Sequence, residues 1–493
     1  MVAVAACSSD DSADTTTTST TTPSAPTTPT VPSSGAGSDG PLPVAWVTQL
    51  GGPGNDSVNA ASGRNDTVVA VGATQGIPPA APVPTGVTRG LVATLDAATG
   101  TVSATNEVGT DGSTVARSVA SATTTGQTLM CGSTDGELGG RSNGTEDAWC
   151  APITPAGTAD AAVRSGGDAA DRLDAVAITP EGDRAYAAGG TESLFPGAQD
   201  PTGGFLGEGD ALVVTLDQAG APGWARQFGT SGTDAAAGLT TSDDGDAIVT
   251  GTTDGATDSG SRGGSDGWIS RMDPYGNQRW LTQFGSSAAD RARAVGVGGD
   301  PRRGTETFVA AGSTAGIMDG GAADATNAGG DDVLAAAFNA SGKQVWASQF
   351  GSTGLDAGTG VVLDGATVYV AGTTDAPITG SERIPLTPVP VQGDGTAPSS
   401  TTTVPPTTAA TPTGRDGFLA ALDATTGEVL WVAMFGSAGD EDVTGLTRTE
   451  TGLLVLSGVT TGQVGATPPG GGTDGFLVAF PLPSAGGGAA SAV

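Results

Sequence analysis

Apolar and polar residues alternate along this chain in short runs that recur in a fixed order. The clearest stretch reads AAAGLTTS (235–242), AIVTGTT (247–253), DGWISRMD (266–273) and QRWLTQFG (278–285). DDGD separates the first two runs and PYGN the last two. Val, Ile, Leu, Trp and Thr at half-buried spacing, broken by Gly, Asp, Asn and Pro, predict four short strands, here A to D. No stretch carries a convincing 3.6-residue apolar period, so helices are not expected.

The unit then repeats. Strand B ends in G-x-T at Gly72/Thr74, Gly132/Thr134, Gly189/Thr191, Gly251/Thr253, Gly312/Thr314, Gly372/Thr374 and Gly458/Thr460, seven copies at a period near 60 residues. A strand C follows each: RGLVATLD, DAWCAPIT, DALVVTLD, DGWISRMD, DVLAAAFN, DGFLAALD and DGFLVAFP. Four short strands repeated seven times predict an all-β fold, a seven-bladed β-propeller of four-stranded antiparallel blades. The last strand C stops at Phe480, and the prolines of PLPSAGGG disfavour another strand. VAWVTQLGG (44–52) is a strand D with no A, B or C before it. This N-terminal strand is expected to complete the last blade and close the ring, which removes an exposed edge.

The combination W-x-x-Q-F-G-x-x-x-x-D, then G-x-T, then D-x-F-L-x-x-L-D resembles the SBBP-type β-propeller repeat of secreted and surface bacterial proteins, over about residues 44–482. The first copies depart from it: ATNEVGTDGST (104–114) lacks the Trp and puts Thr114 where the others have an acid. The resemblance implies architecture and brings no general activity with it. LDATTGEVLW (422–431) and TLDAATGTV (94–102) also resemble the repeat of quinoprotein propellers, which hold pyrroloquinoline quinone beside calcium. Asp followed by Thr-Gly is equally good turn chemistry between two strands, and that simpler reading is preferred.

Composition narrows the function classes. Hydrophobic residues make up 37% and aromatic residues 4%, a lean core with 82 glycines. Acids outnumber bases 52 to 19, and the chain has no histidine. Such a surface repels nucleic acid. The missing histidine excludes a Ser–His–Asp or Cys–His pair and any His-ligated metal. No run approaches the roughly 18 apolar residues of a membrane span.

Val4-Ala5-Ala6-Cys7 resembles a bacterial lipobox, in which the cysteine is lipidated, although only six residues precede Cys7 and a full leader needs more. The expected plan is a truncated lipoprotein signal (1–7), a disordered Thr/Ser/Pro-rich stalk (8–43), the propeller (44–482) and a flexible tail (483–493). A disordered Thr/Pro-rich insertion at about 378–413 interrupts the sixth repeat. This places the protein outside the cytoplasm, lipid-anchored to the bacterial cell membrane and otherwise not in it, as a monomer.

In an antiparallel blade the A–B and C–D turns lie at one end and the B–C and D–A loops at the other. The long insertions 75–88, 192–208, 315–330 and 375–415 all fall at the second end, the expected working face. Asp56, Asp171, Asp234, Asp290, Asp356 and Glu441 gather there from the D–A loops, and Asp147, Asp210, Asp266, Asp332, Asp416 and Asp474 from the starts of strand C. Calcium is the ion such carboxylates would suit. Repetition in nearly every blade favours a structural role instead, with each acid accepting hydrogen bonds from loop N–H groups or from the G-x-T hydroxyl. Trp46, Trp224, Trp280, Trp346 and Trp431 share one phase on their D strands, which packing between blades explains more simply than a carbohydrate-stacking ladder. Cys131 and Cys150 fall on adjacent strands and are expected to form a disulfide, leaving Cys7 as the odd one. No catalytic residue and no cofactor is predicted. The function expected is binding or scaffolding through the long-loop face, with an envelope protein or glycan as partner. A quinoprotein-like or carboxylate-based enzyme and a structural or adhesive surface protein are the alternatives.

Overall fold

Each predicted run becomes a strand, and turn residues set where it stops. In the computed structural model, which describes residues 40–76, 86–199, 207–257, 260–299, 303–321, 325–386, 414–465 and 470–483, the strands form seven separate sheets and no α-helix occurs among the described residues. The fourth blade is Asp234–Thr241, Ala247–Thr253, Asp266–Met272 and Gln278–Phe284, paired in that order, all antiparallel. The seventh takes Glu441–Arg448, Leu453–Thr460 and Asp474–Pro481 from the C-terminal side and Trp46–Leu50 from the N-terminal side. Trp46 lies opposite Ala479 and Gln49 opposite Phe476, so the ring closes without a covalent link. The chain is a seven-bladed β-propeller.

There is no single core. Seven apolar clusters exist, one between each pair of neighbouring blades. A strand buried on both faces must therefore be small or apolar at nearly every position, which is why strands B and C read as runs of Ala, Val, Leu and Phe. The D-strand tryptophans add a latch between blades. The indole Nε1 of Trp46, Trp224, Trp280 and Trp346 donates to Ala97, Pro274, Ala340 and Ala424 O respectively, each in the C–D turn of the next blade, at 2.9–3.0 Å. Each ring lies on a turn glycine: a Cβ on Gly342 (φ 80°) would stand 2.6 Å from the Trp280 indole.

Two blades depart from four strands. Ala198–Gln199 pairs in parallel with Ala225–Arg226, and Glu382–Arg383 with Ala433–Met434, each adding a short fifth strand outside strand D. Both come from long B–C connections, which descend along the outer edge and cover it. The start of the sixth-blade insertion is thus ordered where disorder is expected: Ile378 is buried, and Ile384 and Leu386 pack on the cluster between the sixth and seventh blades. Residues 387–413 lie outside the described residues, as do Cys7 and the stalk through residue 39.

Every strand A carries a bulge at the same place. Its pairing with strand B shifts across Asn59, Arg117, Asp174, Ala237, Arg293, Thr359 and Thr444. The glycine of G-x-T makes room for it. A Cβ on Gly189 would stand 2.0 Å from the carbonyl oxygen of Arg172, and one on Gly312 would stand 1.8 Å from that of Arg291. Only a residue without a side chain admits the bulged carbonyl, and this is the physical content of the most regular residue in the repeat.

Candidate functional site

The acids of the loop-rich end are bound into the repeat. Asp56 accepts from Gly52 N at 2.6 Å and from the Thr74 hydroxyl at 2.5 Å. Asp171, Asp234, Asp290, Asp356 and Glu441 accept in the same way from the backbone N–H four residues earlier, at Gly167, Thr230, Ser286, Ser352 and Ser437. The G-x-T hydroxyl donates to the acid in the seventh blade as in the first, Thr460 to Glu441 at 2.8 Å, and in others turns to loop carbonyls such as Ser193 O. In all seven blades that Thr Oγ1 also accepts the N–H two residues on, from Gly76, Gly136, Ser193, Gly255, Gly316, Ala376 and Gly462. In the second blade Thr114 replaces the acid and meets Thr134 at 3.0 Å.

The second set of acids is held by the glutamine of W-x-x-Q-F-G. Gln49, Gln227, Gln283 and Gln349 each donate Nε2 to Asp474, Asp210, Asp266 and Asp332, at 2.7–2.9 Å. Their Oε1 accepts a B–C loop N–H, from Val464, Phe195, Thr257 and Met318. The sixth blade has Met434 at this position, and Arg383 of the fifth strand binds Asp416 with both guanidinium nitrogens, at 2.8 and 3.1 Å. In the second blade Arg164 pairs with Asp147 at 3.4 Å. The first blade reverses the polarity, with Arg89 where the others carry Asp and Glu107 opposite Leu91 where they carry Gln.

The two sets meet at the blade interfaces. A Cβ on Gly229 would stand 2.7 Å from Asp210 Oδ1 and 2.8 Å from Asp234 Oδ2, so this glycine lies between an acid of one blade and an acid of the next. One oxygen each of Asp147, Asp266, Asp332 and Asp474 is buried without a hydrogen-bond partner among the described residues. Burial, first of all causes, pushes the carboxyls of Asp171, Asp290, Asp356 and Glu441 above the ordinary carboxylate range, and the neighbouring Asp147, Asp266, Asp332 and Asp416 push the same way. Six of the seven interfaces offer two carboxylates, and the one between the first and second blades offers Arg89 and Thr114 instead; calcium takes six to eight oxygens. No group of three or more Cys, Asp or Glu converges among the described residues.

Cys131 and Cys150 lie directly opposite each other on strands B and C of the second blade and are joined by a disulfide, inside the cluster shared with the third blade.

Sequence reasoning missed the axial cavity. The seven A strands enclose about 500 Å³, lined by the bulge residues and by the strand from there to the A–B turns. The cavity therefore occupies the half of the ring away from the long loops. Three arginines and one aspartate line it, Arg117, Arg293, Arg448 and Asp174, in a protein with a net charge of −33. Most of that charge is engaged. Asp174 receives Arg172 at 2.9 Å, Arg117 reaches Glu146 at 3.4 Å and Arg448 reaches Asp364 at 3.3 Å. Arg293 has no hydrogen-bond or ion-pair partner among the described residues. Its side chain is solvent-accessible yet ringed by protein, and burial followed by repulsion from Arg291 pushes its pKa down, against the pull of Asp331. The bulge carries no residue-type signature that would mark these positions in the sequence.

No family model matches the sequence, and no curated protein matches it. Solved structures match at the level of fold. Sqt1 of Chaetomium thermophilum is 13% identical with a TM-score of 0.42, over 90% of this chain and 99% of that one. Drosophila Plexin A, solved in complex with Semaphorin 1b, is 10% identical with a TM-score of 0.43, over 89% and 88%. The periplasmic gluconolactonase PpgL of Pseudomonas aeruginosa is 12% identical with a TM-score of 0.44, over 80% and 95%. Likeness this distant, among proteins so different from one another, carries no conclusion about what this chain binds or does.

Proposed function

We propose that this chain is a binding or scaffold protein of the bacterial cell envelope. A lipid on Cys7 holds it outside the cytoplasm, and the loop-rich end of the ring meets an envelope protein or glycan. The SBBP-type repeat motif supports the address, and the polar run after Cys7 supports the tether. One observation carries the reading of the ring itself. The acids at the loop-rich end are spent on the repeat, blade after blade, so none is set apart as the pair of carboxylates a hydrolase needs. What differs between blades at that end is the length and composition of the B–C connections, where a rigid scaffold keeps its recognition surface.

Crosslinking on intact cells followed by mass spectrometry tests this. The expected result is a recurrent envelope partner captured by the full chain, weakly captured after deletion of 387–413 or replacement of 200–206 by Gly/Ser. A Cys7→Ser chain is expected in the medium or soluble fraction. Capture that is indifferent to both loops, or a Cys7→Ser chain that fractionates unchanged with membranes, overturns the corresponding half of the proposal.

A further inference from the structure

We infer that the axial cavity is a binding site for a small oxyanion, with Arg293 as the residue that recognises it. The inference stands apart from the loop-face reading, because it concerns the opposite half of the ring and needs no partner protein.

Geometry comes first. A bulge turns one extra side chain out of the ladder, and seven bulges at one level turn seven side chains towards one axis. Five of those positions are already engaged or inert. Asn59 donates to Ala116 O at 2.9 Å, Thr444 to Val58 O at 2.7 Å, Arg117 and Asp174 lie within one ion-pair chain, and Ala237 has no polar group. Thr359 makes one long contact to Ala371 O at 3.5 Å. Arg293 alone brings to this level a charge with no hydrogen-bond or ion-pair partner among the described residues, Asp331 acting on it only from beyond ion-pair distance. The guanidinium is exposed to the solvent of the cavity and makes no bond among the described residues, so it is free to take an arriving anion through charge-assisted, forked hydrogen bonds.

The surroundings define the ligand. Ala237 is the adjoining bulge residue and the smallest side chain at this level, and it lines the cavity together with Arg293. Thr240, Thr241 and Thr447 line the same cavity, and their hydroxyls make no hydrogen bond among the described residues. A volume of about 500 Å³ suits a small solute. The chemistry is therefore a carboxylate or phosphate group on a compact, polar molecule. The strongly acidic exterior would exclude polyanions and leave small monoanions and dianions as entrants.

The test titrates the purified full chain with inorganic phosphate and, separately, with lactate, by isothermal calorimetry at fixed ionic strength. Saturable one-to-one binding is expected for at least one of them. Phosphate alone would assign an inorganic or phosphoryl ligand, and lactate alone a hydroxycarboxylate. Arg293→Ala should weaken binding at least tenfold, and Arg293→Lys, which keeps the charge and loses the fork, by less. Ala237→Glu should abolish binding by placing a carboxylate beside an unchanged Arg293, and it keeps the test decisive if Arg293→Ala fails to fold. The exposed Arg141→Ala should bind as the wild type does. No saturable binding of either anion, or equal affinity in wild type and Arg293→Ala, overturns the inference.

Discussion

Gly189 and Gly190 are adjacent on one strand, and the structure predicts opposite fates for them on mutation to alanine. At Gly189 the new Cβ would stand 2.0 Å from Arg172 O, 2.9 Å from its carbonyl carbon and 2.9 Å from Leu173 Cα. All three are backbone atoms of the bulged strand, so no rotamer change relieves the overlap. The bulge itself must shift, and the inter-strand bonds on both sides of Asp174 with it. Overpacking a tight core costs about 1–3 kcal/mol, and a backbone obstacle puts Gly189→Ala at the upper end, about 3 kcal/mol. At Gly190 the nearest atom is the end of the Arg172 side chain, 3.4 Å away, and that guanidinium can swing. Gly190→Ala loses only backbone entropy in the unfolded chain and should be neutral or stabilising by about 0.5 kcal/mol. Urea unfolding followed by tryptophan fluorescence separates them. With an m-value of about 3 kcal/mol/M, Gly189→Ala should lower the midpoint by about 1 M, while Gly190→Ala leaves it within about 0.2 M. Equal midpoints would refute the account of why G-x-T begins with glycine.

Burial raises the pKa of Asp171, Asp290, Asp332, Asp356 and Glu441, so folding favours their protonated forms. Their contribution is fully present below the ordinary carboxylate value near pH 4 and is lost as pH rises through the folded pKa values. The urea midpoint should therefore fall from pH 4 towards pH 7, and Asp290→Asn should flatten that slope; a midpoint that rises over the same window contradicts the burial assignment. Trp46→Ala removes the latch to Ala97 and a nearly buried indole at the ring closure, and should cost about 3–5 kcal/mol. Chemical denaturation reads it, and a loss under about 1 kcal/mol would mean the closing strand contributes little. Reducing Cys131–Cys150, which spans 19 residues, should cost about 3 kcal/mol, and Cys131→Ala/Cys150→Ala should match the reduced wild type.

The architecture was readable because a propeller repeats its demands. Seven G-x-T endings, one tryptophan phase and an unpaired opening strand each have a counterpart in the blades, in the Trp–turn latch and in the Trp46–Ala479 register. The bulge was not readable. Its own positions hold Asn, Arg, Asp, Ala, Arg, Thr and Thr, so the only trace lies in the neighbouring strand's glycine, whose reason becomes visible once the carbonyl of Arg172 or Arg291 is placed. The cavity is hidden with the bulge, whereas the acids that the sequence displays lie at the loop-rich end and are occupied there. Two B–C connections escaped for another cause. Ala198–Gln199 and Glu382–Arg383 are two-residue strands, too short for any alternation to register. Arg383 could have been suspected only from the sixth blade's Met434, which leaves Asp416 without the glutamine its counterparts have.

The seventh blade also decides how the molecule bears load. Trp46–Leu50 runs antiparallel to Asp474–Pro481 along the outer rim, and the chain ahead of it leaves from the Trp46 end. Tension applied to that leading segment pulls the strand along its own axis. The ladder bonds are then strained together in shear instead of parting one after another like a zipper, and the indole of Trp46 must tear free of Ala97 in the same event. The clasp of the circle thus resists a pull along its length with all its bonds at once.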